Sequence, residues 1–177
     1  RNVGHGLPPV VRGREDQGPR HAVVAEAAAR AQVRRAQVES SAMYAIKTAI
    51  AEPTAASWTF ADQKTMYGGK RIARGAVVYL FASENAGGSG LVARGVVTAA
   101  TPTPRRPGVA RQTPCVSVTI ERSALAKRRL GRAELKPFAD WDDGRGETEL
   151  NFKFYRQATD KIVGLSPAAV ALLERCF

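Results

Sequence analysis

From Met43 onward the chain alternates apolar and polar positions in short runs. A period of two places successive side chains on opposite faces of a strand. Runs at 44–51, 76–83, 90–100, 115–121, 151–157 and 161–165 read as six strands. In 76–83, Val77, Tyr79, Phe81 and Ser83 share one face, and Ala76, Val78, Leu80 and Ala82 share the other,. One face is aliphatic; the other is aromatic with a hydroxyl. The same alternation puts Phe152, Phe154 and Arg156 on one side of the run at 151–157.

Turn chemistry separates the runs. Gly87-Gly88-Ser89-Gly90 reads as a hairpin loop, and three prolines within 101–108 confine that stretch to a loop or an edge,. Ser166 followed by Pro167 is a helix start, because the hydroxyl accepts an orphan amide and proline's fixed φ suits the first helical position. Val170, Leu172 and Leu173 then give a helix over 166–176 an apolar face. Short helical pieces are expected near 59–66 and 132–136, and an acidic, Gly-rich loop over 140–149. Six strands with few, short helices predict a small closed barrel of the α+β class.

Residues 1–42 read differently. Gly, Pro, Arg and acids mix without period over 1–20, while 21–40 are Ala-rich and composed of helix formers, with Arg30, Arg34 and Arg35 opposite a thin apolar stripe,. The expected organisation is an N-terminal extension, an irregular arm and then a helix, over 1–42, followed by one domain over 43–177. A core-sized hydrophobic content of 44% agrees with one domain,. No apolar run reaches the roughly 18 residues a membrane span requires, and the expectation is a cytoplasmic protein with no membrane partner. Cys115 and Cys176 have neither CxxC spacing nor a neighbouring histidine and read as reduced core thiols,.

Charge changes the picture more than composition does. The formal net charge is +11, and 20 of the 27 basic and 12 of the 16 acidic residues lie in 43–177, an excess of +8. Polyanions are the natural ligand class for such a domain. The candidate phosphate contacts are Lys64, Lys70, Arg71 and Arg74 ahead of the 76–83 run, and Arg105, Arg106 and Arg111 in the proline loop.

The catalytic inventory is short. Both histidines, His5 and His21, precede Met43, so the domain holds no Ser-His or Cys-His dyad and no His-containing zinc site,. Asp140, Asp142, Asp143, Glu147 and Glu149 beside Lys153 offer the carboxylates of a magnesium nuclease or small hydrolase. Their setting among Gly144 and Gly146 reads as a solvated acidic turn, and no Glu-x-Lys step ends at Lys153. Gly68-Gly69-Lys70 lacks the first glycine and the hydroxyl of a phosphate loop.

Two pieces of sequence resemble a known family. Arg156-Gln157-Ala158-Thr159, then Lys161-Ile162-Val163-Gly164-Leu165-Ser166 and an apolar helix, looks like the end of EVE domains in the PUA-like superfamily. The run Arg74 to Ser83, then a Gly-rich loop and Gly90 to Val97, resembles that family's central hairpin. The resemblance covers roughly 43–177 in order. Ala76 departs from the family's usual acidic residue, and Ala82 stands where many members have His. The GxKxxExR signature of the related ASCH branch is incomplete, because Ala73 and Gly75 occupy its Glu and final Arg positions.

The resemblance implies a PUA-like barrel that reads nucleic acid without catalysis. Aromatic faces stack on nucleobases, and a flipped base is read at its pairing edge. The expected base pocket comprises Trp58, Tyr79, Phe81, Ser83, Phe154, Arg156 and Gln157. The expected ligand is a modified base of DNA, or RNA as in the wider superfamily, and no cofactor or metal is expected. Two readings stay open beside it: the carboxylate enzyme, and a protein-interaction module using the N-terminal helix.

Overall fold

The computed structural model describes residues 42–156 and 160–177. Six strands form a closed barrel: β1 (Tyr44–Thr48), β2 (Ser57–Met66), β3 (Val77–Ala82), β4 (Gly90–Pro102), β5 (Cys115–Leu125) and β6 (Lys161–Gly164). Their order around the barrel is β1-β3-β4-β5-β2-β6. The long strands β4 and β5 pair antiparallel from Ala93↔Leu125 to Pro102↔Val116, and β5 pairs on with β2. The four-residue β6 closes the ring. It runs antiparallel to β1, with Lys47 opposite Lys161 and Ile46 opposite Ile162, and parallel to β2 at Thr65 and Met66.

Alternation along the strands divides the apolar residues into two cores. Tyr44, Ile46, Trp58, Val78, Leu80, Val97, Val118, Ile120 and Ile162 fill the barrel. The opposite faces carry Ala45, Tyr79, Phe81, Leu91 and Val163 outward, where three short helices cover them. These are α1 (Arg132–Leu135), α2 (Gly146–Asn151) and α3 (Pro167–Glu174). Leu135, Leu150, Ala169 and Leu173 supply the helical side of this second core. The aromatic face expected on 76–83 therefore exists, with Tyr79 and Phe81 wholly buried beneath helices. Burying a ring of that size contributes about 1.5–3 kcal/mol.

Two elements differ from the sequence reading. Residues 57–66 are a strand rather than a helical piece. A bulge between Phe60 and Gln63, with Asp62 at a φ of 49°, breaks the alternation that identifies a strand,. Residues 151–156, expected within a strand over 151–157, are not a strand. Helix α2 runs into a π-helical turn over Phe152–Arg156. The aromatic alternation there disguises a helical period, in which Leu150 and Phe154 are four apart and both buried. Lys153 pairs with Glu149 four residues before it at 2.8 Å,. The count of six strands holds because β2 takes the place of 151–157.

Helix α3 begins as its sequence indicates: the Ser166 hydroxyl accepts from the Ala169 amide at 3.2 Å, and Pro167 occupies the first turn. The expected N-terminal arm and helix lie outside the described residues.

Trp58 lies inside the barrel, with its indole N–H donating to the Glu52 carbonyl at 2.9 Å. Trp58→Ala is expected to cost about 3–5 kcal/mol through the cavity it leaves. Urea unfolding monitored by circular dichroism measures this directly, and a loss below 1 kcal/mol would contradict the interior placement.

Candidate nucleic-acid interface

Three aromatic rings form a row on the surface beside the second core. Phe152 stands between Trp141, at a centroid distance of 5.2 Å, and Tyr67, at 6.0 Å. The outer two are open to solvent, Trp141 at 41% and Tyr67 at 38% exposure. Tyr67 follows β2 and has a φ of 48°. A bulky residue rarely adopts that left-handed conformation, and surrounding structure must hold it there. The hold is visible: the Gly164 amide donates to the Tyr67 carbonyl at 3.1 Å. A side chain at Gly164 would come within 2.8 Å of that carbonyl oxygen. Trp141 sits in the turn ahead of α2, where the Asp143 carboxylate accepts from the Arg145 amide at 2.9 Å and the Thr148 hydroxyl at 2.8 Å.

Cations stand against this row. The Arg156 guanidinium lies 4.8 Å from the Trp141 ring centre, and the Lys153 and Lys161 ammonium groups lie 5.4 and 5.7 Å from that of Tyr67. Such contacts attract positive charge to the ring face. Two clefts adjoin the row. One of about 390 Å³ is lined by Trp141, Phe152, Arg145 and Glu149; another of about 250 Å³ has Tyr67, Arg71 and Lys153 in its wall. The smaller is roughly the size of one stacked base with surrounding water, and cationic on two sides.

Beneath the interface lies a buried polar network. Lys47 is wholly buried, donating to the Phe154 carbonyl at 3.2 Å, 4.0 Å from the Asp160 carboxylate and 4.7 Å from the Tyr155 ring centre. Arg132 lies 5.4 Å from the same ring centre, and the Tyr155 hydroxyl donates to Glu84 at 2.8 Å. Ser83 donates to Asp160 at 2.9 Å. Burial pushes the Lys47 and Lys161 ammonium pKa values down. Asp160 and Glu84 pull Lys47 partly back, whereas Lys47 lowers Lys161 further. Burial, and then the bond to Glu84, raise the Tyr155 hydroxyl, which stays protonated.

The expected base-pocket residues do not converge on one pocket. Trp58 is inside the barrel, while Tyr79, Phe81 and Phe154 are wholly buried in the outer core. Phe81 packs on Phe154 at 5.1 Å, and the Tyr79 hydroxyl donates to Glu174. The cause is the barrel wall, which sends Trp58 inward and Tyr79 and Phe81 outward, where Phe154 of the π-helical turn joins them. Ser83 belongs to the buried network, Arg156 stands on the aromatic row, and Gln157 lies outside the described residues. All seven expected phosphate contacts are exposed. Arg71 joins the row, while Lys64, Arg106 and Arg111 line a separate cleft of about 350 Å³. Tyr67 and Trp141 escape a reading by strand pattern because both sit in turns; Trp141 has the turn formers Asp140, Asp142, Asp143 and Gly144 around it.

Four of the five carboxylates of 140–149 serve local structure, Asp140 by accepting from the Asp142 amide at 3.3 Å. Asp143 braces the turn before α2 through the Arg145 amide and the Thr148 hydroxyl, Glu147 lies 3.8 Å from Arg175, and Glu149 binds Lys153 and the Ser166 amide and hydroxyl. Among the described residues no group of three or more His, Cys, Asp or Glu side chains is placed to hold a metal ion.

No protein-family model matches the sequence, and no curated protein matches it. The fold is shared with solved structures. The DUF55 domain of human thymocyte nuclear protein 1 aligns with a TM-score of 0.50 and 13% identity over 73% of this chain and 95% of its own. Human THYN1 in complex with DNA containing 5-methylcytosine aligns with a TM-score of 0.50 and 15% identity over 75% and 95%. At these identities the likeness is one of fold: a small closed β-barrel with a few short helices, of the α+β class.

Burial opposes charge on Glu149, but the bonds from Lys153 and Ser166 outweigh it and hold its pKa below the ordinary glutamate value. A depressed carboxylate pKa contributes stability above the unfolded value, lost as pH falls through the folded one. Glu149→Gln is therefore expected to destabilise the fold at pH 7, with the difference from the parent shrinking below about pH 4. Urea midpoints at pH 7 and pH 3.5 measure it; a gap independent of pH would contradict the assignment.

Proposed function

We propose that this chain is a non-catalytic reader of nucleic acid, of the EVE type within the PUA-like superfamily, that takes a modified base of DNA (or RNA) against the Tyr67–Phe152–Trp141 row. The observation that carries the reading is this exposed aromatic row with Arg156, Lys153 and Lys161 against its rings, on a domain of excess positive charge. Stacking of a base on an aromatic side chain contributes about 1–3 kcal/mol. Arg71 at the row, and Lys64, Arg106 and Arg111 in the neighbouring cleft, supply phosphate contacts that position a strand without reading it. The structure of THYN1 with 5-methylcytosine DNA lends support, since the two chains share a fold. The local engagement of Asp143, Glu147 and Glu149 favours a reader over a carboxylate enzyme.

Binding to oligonucleotides with and without 5-methylcytosine, at two salt concentrations, tests the proposal. Trp141→Ala is expected to reduce the preference for the modified strand about tenfold or more while leaving salt-dependent background binding within about twofold. Arg71→Ala is expected to weaken modified and unmodified strands alike. A modified-to-unmodified ratio unchanged by Trp141→Ala would overturn the assignment of the row.

A further inference from the structure

The loop between β4 and β5, residues 103–114, carries an apolar tip inside a ring of arginines. It is a built structure. The Thr103 amide donates to the Cys115 carbonyl at 2.9 Å, the Thr103 hydroxyl to Asp62 at 2.6 Å, and the Arg106 amide to the Gln112 side chain at 2.8 Å. At the tip, Arg106-Pro107-Gly108-Val109 closes with the Val109 amide on the Arg106 carbonyl at 3.3 Å and Gly108 at a φ of 80°. Proline second and a positive-φ glycine third make this a type II turn. The turn displays Pro107 and Val109 to solvent, Val109 at 45% exposure. Arg105, Arg106 and Arg111 flank them, and all three are exposed.

The foot of the loop is tied to β2, the strand that leads into Tyr67. The Pro114 carbonyl accepts from both the amide and the hydroxyl of Thr65, at 2.9 and 2.8 Å. Tyr67 follows two residues later, about 7 Å along an extended chain. A cationic cleft lies between the loop and β2, with Lys64, Arg106, Val109 and Arg111 in its wall.

We propose that this loop is a wedge that opens duplex DNA beside the aromatic row. The inference rests on the reader proposed above and adds to it the form of the ligand. In a duplex both faces of a base are already stacked, so the row gains a base only after a step is parted. Apolar side chains, proline among them, part base steps when a protein inserts them between the pairs. Pro107 and Val109 have the chemistry and exposure for insertion. Arg105, Arg106, Arg111 and Lys64 hold the phosphates on either side, where charge neutralisation by counterion release drives binding. The Gln112 staple and the Asp62–Thr103 bond keep the tip rigid, so insertion does not first have to order the loop.

The test uses the full chain and an oligonucleotide with 2-aminopurine beside 5-methylcytosine, as a single strand and as a duplex. The parent is expected to raise 2-aminopurine fluorescence severalfold on the duplex. Val109→Ser is expected to remove most of that rise and weaken duplex binding about tenfold, with single-strand binding within about twofold. Arg111→Ala is expected to weaken both forms. A Val109→Ser protein that opens the duplex as well as the parent would overturn the wedge. So would a parent that selects the modified single strand without brightening the duplex, leaving the reader in place. A parent that shows no preference for the modified base on single strands would overturn the reader itself.

Discussion

Closure of the barrel by β6 is the constraint on which the rest of the structure depends. Only four residues long, the strand satisfies the edges of β1 and β2 at once. Unpaired edges present rows of donors and acceptors that recruit other chains, and closure alone removes them. Gly69 shows how close the approach is, since a Cβ there would lie 2.2 Å from the Ile162 carbonyl oxygen. The same strand fixes Tyr67 through Gly164 and places Lys161 opposite Lys47. It also delivers the chain directly into α3.

The barrel wall then separates duties. Its inner face is aliphatic apart from Tyr44, Trp58 and Phe60, whereas its outer face gathers Tyr79, Phe81 and Phe154 beneath the helices. The buried cation Lys47 bridges β1 to the π-helical turn, which would cost several kcal/mol if left unpaired,. Its contacts with the Phe154 carbonyl, Asp160 and the Tyr155 ring offset that cost. The network also sets the π-helical turn at a defined height above the barrel, and Phe152 and Arg156 at the ends of that turn belong to the aromatic row. Wide turns of this kind often occur where function asks for a side chain to be re-aimed.

Much of this was legible in the sequence. The period-two faces of β3 predict the aliphatic core and the aromatic composition of the opposite face, the Ser166–Pro167 step predicts the start of α3, and the charge of 43–177 predicts exposed cations. The strand β2 was not legible because its bulge at Phe60–Gln63 breaks the pattern that defines a strand. Residues 152–156 misled for the opposite reason: aromatic and polar residues alternate there by chance of composition while the chain follows a helical period. The residues of the pocket expected from strand faces and the family resemblance do not converge, for a three-dimensional reason. Alternation tells which residues share a face, but only closure of the ring decides which face is inside. Tyr67 and Trp141 sit in turns, where no period operates.

The contact between Lys47 and Phe154 spans 107 residues of sequence, and β6 pairs with β1 across a similar distance. Chain closure over so long a loop must be achieved before its contacts repay the entropy, which slows folding. During synthesis the first strand emerges with its partner β6 still unmade, so β1 and β2 wait with open edges while β3, β4 and β5 assemble their long antiparallel pairs. Both edges are satisfied only when β6 is made, and on the β1 side Lys47 sets a long cationic side chain opposite Lys161 in the strand that covers it,.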